Sequence, residues 1–507
     1  MQEVNSNKRI AKNTIILYLR MVLVMGVTLF TSRIILKSLG IEDFGIYSIV
    51  GGSVSFFTFL SNSMALALQR FYTYELGRGN KDKIALYFNQ GFWTFVLVSI
   101  IIIMLSETLG LVILKYYLDI PDDKQTIAFW VFQLSILSLV FSLLRTPYNA
   151  LFIAYEKMDF FAILGIVEVL LKLGITYILL LFSSHRLIIY MILISIVTFL
   201  ILEFTIYYCR RINIHEKIKF DIDKATIIKL LSFSGWTTLT SSANVLSNQG
   251  VNMVLNNVFG VFISAATGVA NQVMSAVMTF LGSFQTAFNP QIVKSYASGD
   301  INKFINLLYT MSLLSFYLMM IVGIPIIIKM QPILDIWLVN VPEWTSIFSV
   351  CIILSMMVES YAGPFWMGMQ AVGRIKKYQV ISSIIISLNF FGAALLLYCG
   401  SSPAWAFIIK IIVSALVLGT RIVLLRKEVY FSLRKYCLSV VVRSLTVFCI
   451  SFGISFFLSP YFKNLGGIIL YAIISIIISA LFVYLIGIDG NLRTRFNSII
   501  LSKLHIT

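Results

Sequence analysis

Apolar runs of about 20 residues recur fourteen times along this 507-residue chain, and no other feature limits its fold so strongly. They fall at roughly 13–36, 43–68, 84–114, 126–154, 160–183, 186–208, 227–256, 263–288, 304–328, 345–371, 376–400, 403–427, 434–459 and 465–487. Each matches the thickness of a bilayer's hydrocarbon core, where a backbone must satisfy its own hydrogen bonds and only a helix or a closed barrel can do so. Charged residues make up 12% of the chain, about half the share in a soluble domain. These observations predict an all-α integral membrane protein of about fourteen transmembrane helices. The first apolar stretch is too long for a cleaved signal and contains Arg20 and Arg33, so it reads as a retained first helix.

Positive charge supplies the topology. With the N-terminus and every second loop placed in the cytoplasm, inner segments hold 27 of the 39 basic residues. The outer loops then hold six: Lys37, Lys115, Lys124, Arg186, Lys329 and Lys463. Shifting the assignment by one span destroys this bias, which predicts both termini in the cytoplasm. The net charge of +17 is therefore a topological feature, and no nucleic-acid partner is expected.

Internal similarity divides the chain. A shift of 220 residues places "LGRGNKDK" (76–83) on "YASGDINK" (296–303), and the span map repeats with it. Six helices per half make a parallel repeat, so the expectation is two parallel pseudo-twofold six-helix lobes with two extra C-terminal helices. The lobes cover 1–208 and 227–427, joined by a basic cytoplasmic linker at 209–226. Residues 428–507 supply helices 13 and 14 and a basic tail.

Ionisable groups inside spans are costly, and by default they face a cavity or a partner. Arg20 lies about two turns into the first span. Arg145 precedes Pro147, which can kink its helix and free carbonyls. Glu168 and Lys172 are spaced i, i+4 with the acid first, so mutual neutralisation and a transport role are both open. Glu359 sits mid-span, one turn before Gly363-Pro364, and is the candidate for coupling to H+ or Na+, together with Glu168. Arg33 and Lys410 lie near enough to span ends to snorkel.

Span 7 differs in kind. Fourteen of its residues between 232 and 257 are Ser, Thr, Asn or Gln, and none in that stretch is charged. Ser234, Thr237, Ser241, Asn244, Asn248 and Asn252 share one helical face, and the next span repeats the pattern with Gln272, Ser275, Thr279, Ser283 and Thr286. Such residues commonly join helices in membranes, one or two per helix; this density favours a wetted wall. Neutral donors and acceptors suit a polyhydroxylated ligand, and the nearby bases suit an anionic group. The candidate wall is Ser241, Asn244, Asn248, Gln272 and Ser275. Catalytic patterns are missing: there are three histidines, no HExxH, no P-loop and five scattered cysteines. A non-enzymatic protein without cofactor or metal is expected.

The stretches "RIAKNTIILYLRMVLVMGVTLFTSRIILKSLGIEDFGIYSIVGG", "LALQRFYTYELGRGNKDK" and "FNPQIVKSYASGD" resemble polysaccharide repeat-unit flippases, the O-antigen and capsule translocases of the multidrug/oligosaccharidyl-lipid/polysaccharide exporter superfamily. That resemblance implies a V-shaped, two-lobed transporter working by alternating access in a bacterial cytoplasmic membrane. Its implied cargo is an undecaprenyl-diphosphate-linked oligosaccharide, moved among membrane lipids, with a polysaccharide polymerase as partner. Arg33 in "TSRIIL" matches the lumen arginine of the related lipid II flippases; Lys37 and Glu42-Asp43 stand where those have a second arginine and an acid. Arg70 in "QRF" matches at the inner end of helix 2, as a gate or a charge anchor. The cavity cations would be Arg20, Arg33, Arg145 and Lys172. Two alternatives stand beside this reading: an ion-coupled drug exporter of the same superfamily, and a non-transporting scaffold for polysaccharide enzymes.

Overall fold

The computed structural model describes residues 2–55, 64–65, 67–69, 71–72, 75–76, 80–155, 157–182, 184–212, 219, 223–373, 375–489 and 493–494. The side chains of residues 2–22, and of a few others within helices, lie outside that description. The described chain is helical, with no strand among the described residues. Among the described residues twelve helical segments are long and apolar enough to cross a membrane. Their outward residues, such as Met104, Ile163 and Phe457, are large, apolar and exposed, as helices bathed in lipid require. The chain is thus built as a multi-pass membrane protein.

Two of the fourteen predicted spans are not separate segments among these twelve, and residues 56–63 of the second lie outside the described residues. The first two predicted spans run together in the helix Gln2–Ser55, broken at Gly40, whose φ of 81° only glycine adopts readily. The seventh forms helices Lys224–Val245 and Val251–Phe259, joined by the π-helical turn Leu246–Gly250, but is too polar to score as apolar.

Backbone geometry repeats at the interval that aligns the sequence with itself. Gly260 lies 220 residues after Gly40 and breaks its helix in the same way, with φ 78° and ψ −173° against 81° and 174°. Asn80 caps Lys81–Leu105 by accepting from the Lys83 amide, and Asp300 caps Ile301–Ile328 by accepting from the Lys303 amide. Side-chain caps at equivalent positions start equivalent helices in both halves.

By packing, the chain forms two compact units. The first comprises Met1–Gln272, Trp337–Thr345 and Gln379–Ile409. One part of its core gathers Leu68, Tyr72, Phe88, Phe95, Tyr148 and Phe152. Elsewhere in it, residues 41–55 approach 249–268 through small residues. A Cβ on Gly45 would overlap the Val261 carbonyl oxygen, and one on Gly268 would stand 2.5 Å from Ser48 Oγ. The second unit comprises Val273–Ile336, Ser346–Tyr378 and Lys410–Thr507. Phe316 stacks on Tyr361 there, with ring centroids 4.5 Å apart, beside Tyr309, Phe365 and Tyr436.

Three of the six basic residues assigned to outer loops serve as structural ties. Lys124 Nζ pairs with Asp43 at 2.8 Å. Arg186 donates to the Phe182 and Ser38 carbonyls at 2.7 and 2.9 Å. In the second unit Lys329 Nζ donates to the Ser459 and Phe462 carbonyls at 2.8 and 2.9 Å, satisfying groups at a helix end. Within the first unit, the chain after the third span meets the end of helix Val251–Phe259, four spans later: Asn256 Oδ1 accepts from the Asp119 amide, and Asn257 donates to the Tyr117 carbonyl. Two described residues of the predicted linker bond to the early turns of Lys81–Leu105. The Lys219 amide donates to Asn89 and the Asp223 amide to Gln90.

Candidate functional site

A charged cluster lies inside the first unit. Glu168, midway along helix Met158–Leu179, accepts from Lys172 Nζ at 2.7 Å on one oxygen and from Arg145 Nη1 at 2.8 Å on the other. The i, i+4 spacing brings the lysine to the acid within one helix; Arg145 arrives from the neighbouring helix Gln125–Ala154. Two cations share one carboxylate, so the cluster keeps an excess of one positive charge. Arg145 Nε is buried and has no hydrogen-bond partner among the described residues. Side-chain exposure of 18% for Arg145, 18% for Glu168 and 34% for Lys172 leaves the far sides of both cations approachable. With that Nε closed off, the partly exposed ends of the guanidinium and the ammonium, and their surplus charge, are what suit an anion with several acceptor oxygens.

The polar helix divides its capacity between two tasks. Off the predicted stripe, Thr240 bonds Gln379 and Ser383, and Asn389 donates to Ser247 Oγ at 2.8 Å, so these residues join helix 224–259 to Ile375–Tyr398. Asn252 belongs to the stripe by the helical wheel, yet it is buried and accepts from Thr267 at 2.5 Å. It is glue, because the outer half of the helix is packed by Val261–Ala297. Ser234, Thr237, Ser283 and Thr286 lie outside the described side chains, and several of the other stripe residues keep open surface. Asn244 is exposed and, among the described residues, donates within its own helix, to the Thr240 carbonyl at 2.9 Å. Asn248 donates likewise to the Asn244 carbonyl at 2.9 Å, and Ser241 beside them is half-buried. On the next helix Ser275 is exposed, while Gln272 buries its Oε1 without a partner among the described residues.

This division gives a direct test. Asn389→Leu removes the donor to Ser247 and is expected to cost about 1–3 kcal/mol of stability. Asn244→Leu is expected to change stability by less than ~0.5 kcal/mol, because its side chain joins nothing outside its own helix. Thermal unfolding of the purified variants in detergent checks both values; equal losses would mean that the stripe is glue throughout.

A second charged group lies in the other unit. Glu359 accepts from Ser414 Oγ at 3.3 Å, and Lys410 from the same helix, Trp405–Glu428, is within electrostatic reach of its carboxylate. Lys410 Nζ also rests 3.3 Å from Met274 Sδ, a soft acceptor. The snorkelling expected for Lys410 is therefore replaced by an internal contact. Near the Pro364 position, Arg421 donates to Tyr378 Oη at 2.7 Å and to the Ala362 carbonyl at 3.2 Å. The loop-by-loop charge count places Arg421 with the inner basic residues. Its position about two turns before the helix end at Glu428 is the signal that it lies within a span.

The other candidate residues are not drawn into these clusters. Arg33 is exposed and pairs with no described acid. Arg20 lies on a helical backbone, but its side chain is outside the described residues, as is Arg70. Among the described residues no three His, Cys, Asp or Glu side chains gather as a metal site requires.

Residues 17–178 match the MatE family model. No curated protein matches the sequence. The structure is similar to that of the lipid II flippase MurJ in an inward closed conformation, with a TM-score of 0.68 at 14% identity, covering 97% of this chain and 99% of that one. It is similar also to the MATE multidrug transporter DinF-BH, solved in complex with a ligand, with a TM-score of 0.60 at 14% identity, covering 84% and 97%. The eukaryotic MATE transporter AtDTX14 gives 0.58 at 15% identity, covering 86% and 98%. The chain therefore has the fold shared by MurJ and the MATE transporters, and its family match is confined to residues 17–178.

Proposed function

We propose that this protein is a transporter of that superfamily, and that it flips undecaprenyl-diphosphate-linked oligosaccharide from the inner to the outer face of a bacterial cytoplasmic membrane for surface polysaccharide synthesis. The observation that carries the reading is the Arg145–Glu168–Lys172 cluster, an intramembrane site with surplus positive charge and two partly exposed cations. A diphosphate supplies the charge and the acceptor oxygens that such a site lacks. Exposed Asn244 and half-buried Ser241 and Asn248, with Gln272, and the exposed Ser275 of the second unit would each hydrogen-bond sugar hydroxyls weakly enough to let them pass. The halves 1–208 and 227–427, joined by 209–226, would alternate access, with 428–507 appended. Arg20 and Arg33 would extend the cationic surface, Arg70 would act near an inner gate, and a polymerase would receive the product. Glu359, paired electrostatically with Lys410, is the candidate for H+ or Na+ coupling.

Two observations favour a drug exporter instead: the MatE match, and likeness to a multidrug transporter solved with a ligand. An organic cation, however, seeks an unengaged carboxylate. Glu168 is held by two cations, Glu359 by a serine and a neighbouring lysine, and Glu107 and Glu203 lie exposed at the periphery. Vesicles containing the purified protein and a fluorescent undecaprenyl-diphosphate-linked disaccharide test the two readings. Protein-dependent exposure of the sugar to a membrane-impermeant oxidant is expected. No exposure, with proton-driven uptake of a cationic dye, would establish the exporter.

A further inference from the structure

An apolar pocket of about 290 Å³ lies within the first unit, apart from the charged cluster. Ile113, Phe132, Leu246, Met253 and Phe390 line it. Its one hydroxyl-bearing aliphatic residue, Ser53, turns its Oγ to the Val50 carbonyl of its own helix at 2.7 Å. Water has nothing to bond to in such a space, and an enclosed apolar cavity of about half this size takes up a hydrocarbon the size of benzene. A stretch of roughly ten carbons would fill this one.

The backbone around the pocket is unusual. Residues Ser106–Gly110, Ile113–Tyr117 and Leu246–Gly250 are all π-helical, a local form that is rare and concentrated at functional sites. Two of these turns end in glycines that meet aromatic rings of the wall. A Cβ on Gly110 would be 2.6 Å from Phe132, and one on Gly250 would be 2.7 Å from Phe390. The rings lie against bare backbone, and the pocket is the space left beside them.

Depth indicates the kind of occupant. Tyr117, Tyr398 and Phe259 end their helical segments, and side chains at those ends meet: the Tyr117 and Tyr398 hydroxyls are 2.9 Å apart, and Tyr398 Oη donates to Asn257 Oδ1 at 3.1 Å. The lining residues of these segments lie some four to thirteen residues from the ends, or roughly 6–20 Å down a helix. A molecule with its polar part at the tyrosine rim would place its chain in the pocket at the level of a bilayer's own acyl chains. The rim is neutral. The nearby Asp119 is acidic, and Lys115 is turned onto the Tyr116 ring at 5.4 Å. Among the described residues that form the rim, Tyr117, Tyr398 and Asn257, there is no cation for a diphosphate, whereas an ester-linked glycerol accepts hydrogen bonds from hydroxyl and amide groups.

We propose that this pocket is a site for one acyl chain of a bilayer glycerophospholipid, with the ester region at Tyr117, Tyr398 and Asn257. The site is independent of the transported cargo. A resident chain would fill the space between the π-helical turns and hold them in register, so the lipid would act as a structural ligand of the first unit.

The test is photolabelling of the full-length protein in phosphatidylethanolamine and phosphatidylglycerol vesicles containing a phosphatidylethanolamine with a diazirine in one acyl chain. Labelling at Ile113, Phe132, Leu246, Met253 or Phe390 is expected to saturate and to be competed by unlabelled lipid, while labelling at lipid-exposed Met104 stays proportional to probe concentration. Leu246→Phe, which fills the space, is expected to reduce pocket labelling about tenfold without changing that at Met104. Gly250→Leu makes the same test more severely, and the wild-type saturation curve stands if that variant fails to fold. Labelling of the pocket that tracks Met104 without saturation would overturn the proposal. So would preferential labelling by a diazirine-bearing undecaprenyl phosphate, which would assign the pocket to the cargo's tail.

Discussion

Arg145→Ala is expected to reduce flipping of an undecaprenyl-diphosphate-linked sugar by about 30- to 1,000-fold while leaving a folded protein. The physical basis is the division of labour around Glu168. With Arg145 removed, Glu168 keeps its 2.7 Å bond to Lys172, so the acid is still neutralised and no unpaired charge is left inside the helices. What disappears is the surplus positive charge and the planar donor set. Losing a charge-assisted, partly buried contact to phosphate costs about 2–4 kcal/mol, and each 1.4 kcal/mol is tenfold. Arg145→Lys restores charge without the fork and is expected to fall between the two. Glu168→Gln acts differently, because it leaves two cations facing each other; its loss should appear in thermal stability, by about 3–5 kcal/mol. Initial flipping rates in vesicles and melting curves separate these outcomes. If Arg145→Ala flips at the wild-type rate, the cluster is structural and the phosphate assignment is wrong.

The parts of this picture that were legible in the sequence are the local ones. Span lengths, the 220-residue interval and the Glu168–Lys172 pair follow from periodicities within one helix or one repeat. The glycine breaks at 40 and 260 and the caps at 80 and 300 show how local chemistry carries that interval into backbone form. Arg145 was visible as a costly charge, but its bond to Glu168 joins two helices, and spacing along the chain says nothing about such a contact. The same limit governed the polar helix. Its wheel placed Asn252 and Asn248 on one face, yet Asn252 is closed off by Thr267 and Asn248 keeps part of its surface. Which polar residues are glue depended on Gln379, Ser383 and Asn389, more than a hundred residues away.

Gly45→Ala is expected to have an effect on folding out of proportion to the single methyl it adds. In a helix interior alanine is normally favoured over glycine by roughly 0.5–1 kcal/mol. Gly174→Ala, where an added Cβ meets nothing within 4 Å, should show that small gain or no change. At Gly45 the added carbon would overlap the Val261 carbonyl oxygen and stand 3.0 Å from its carbon. Both atoms are backbone at the start of helix Val261–Ala297, directly after the Gly260 break, so no side-chain rotation can make room. Small residues let membrane helices approach this closely, and the packing contacts won by that approach hold such helices together in lipid. Separating the helices by about 1 Å also strains the reciprocal fit of Gly268 against Ser48 and of Gly52 against Gln249. Overpacking of this kind costs about 1–3 kcal/mol and more when the obstacle is backbone. The measurable result is a lower melting temperature and a reduced yield of monodisperse protein for Gly45→Ala, with Gly45→Val not recovered folded. If Gly45→Ala melts with Gly174→Ala, the close approach of these two helices is not what holds the first unit together.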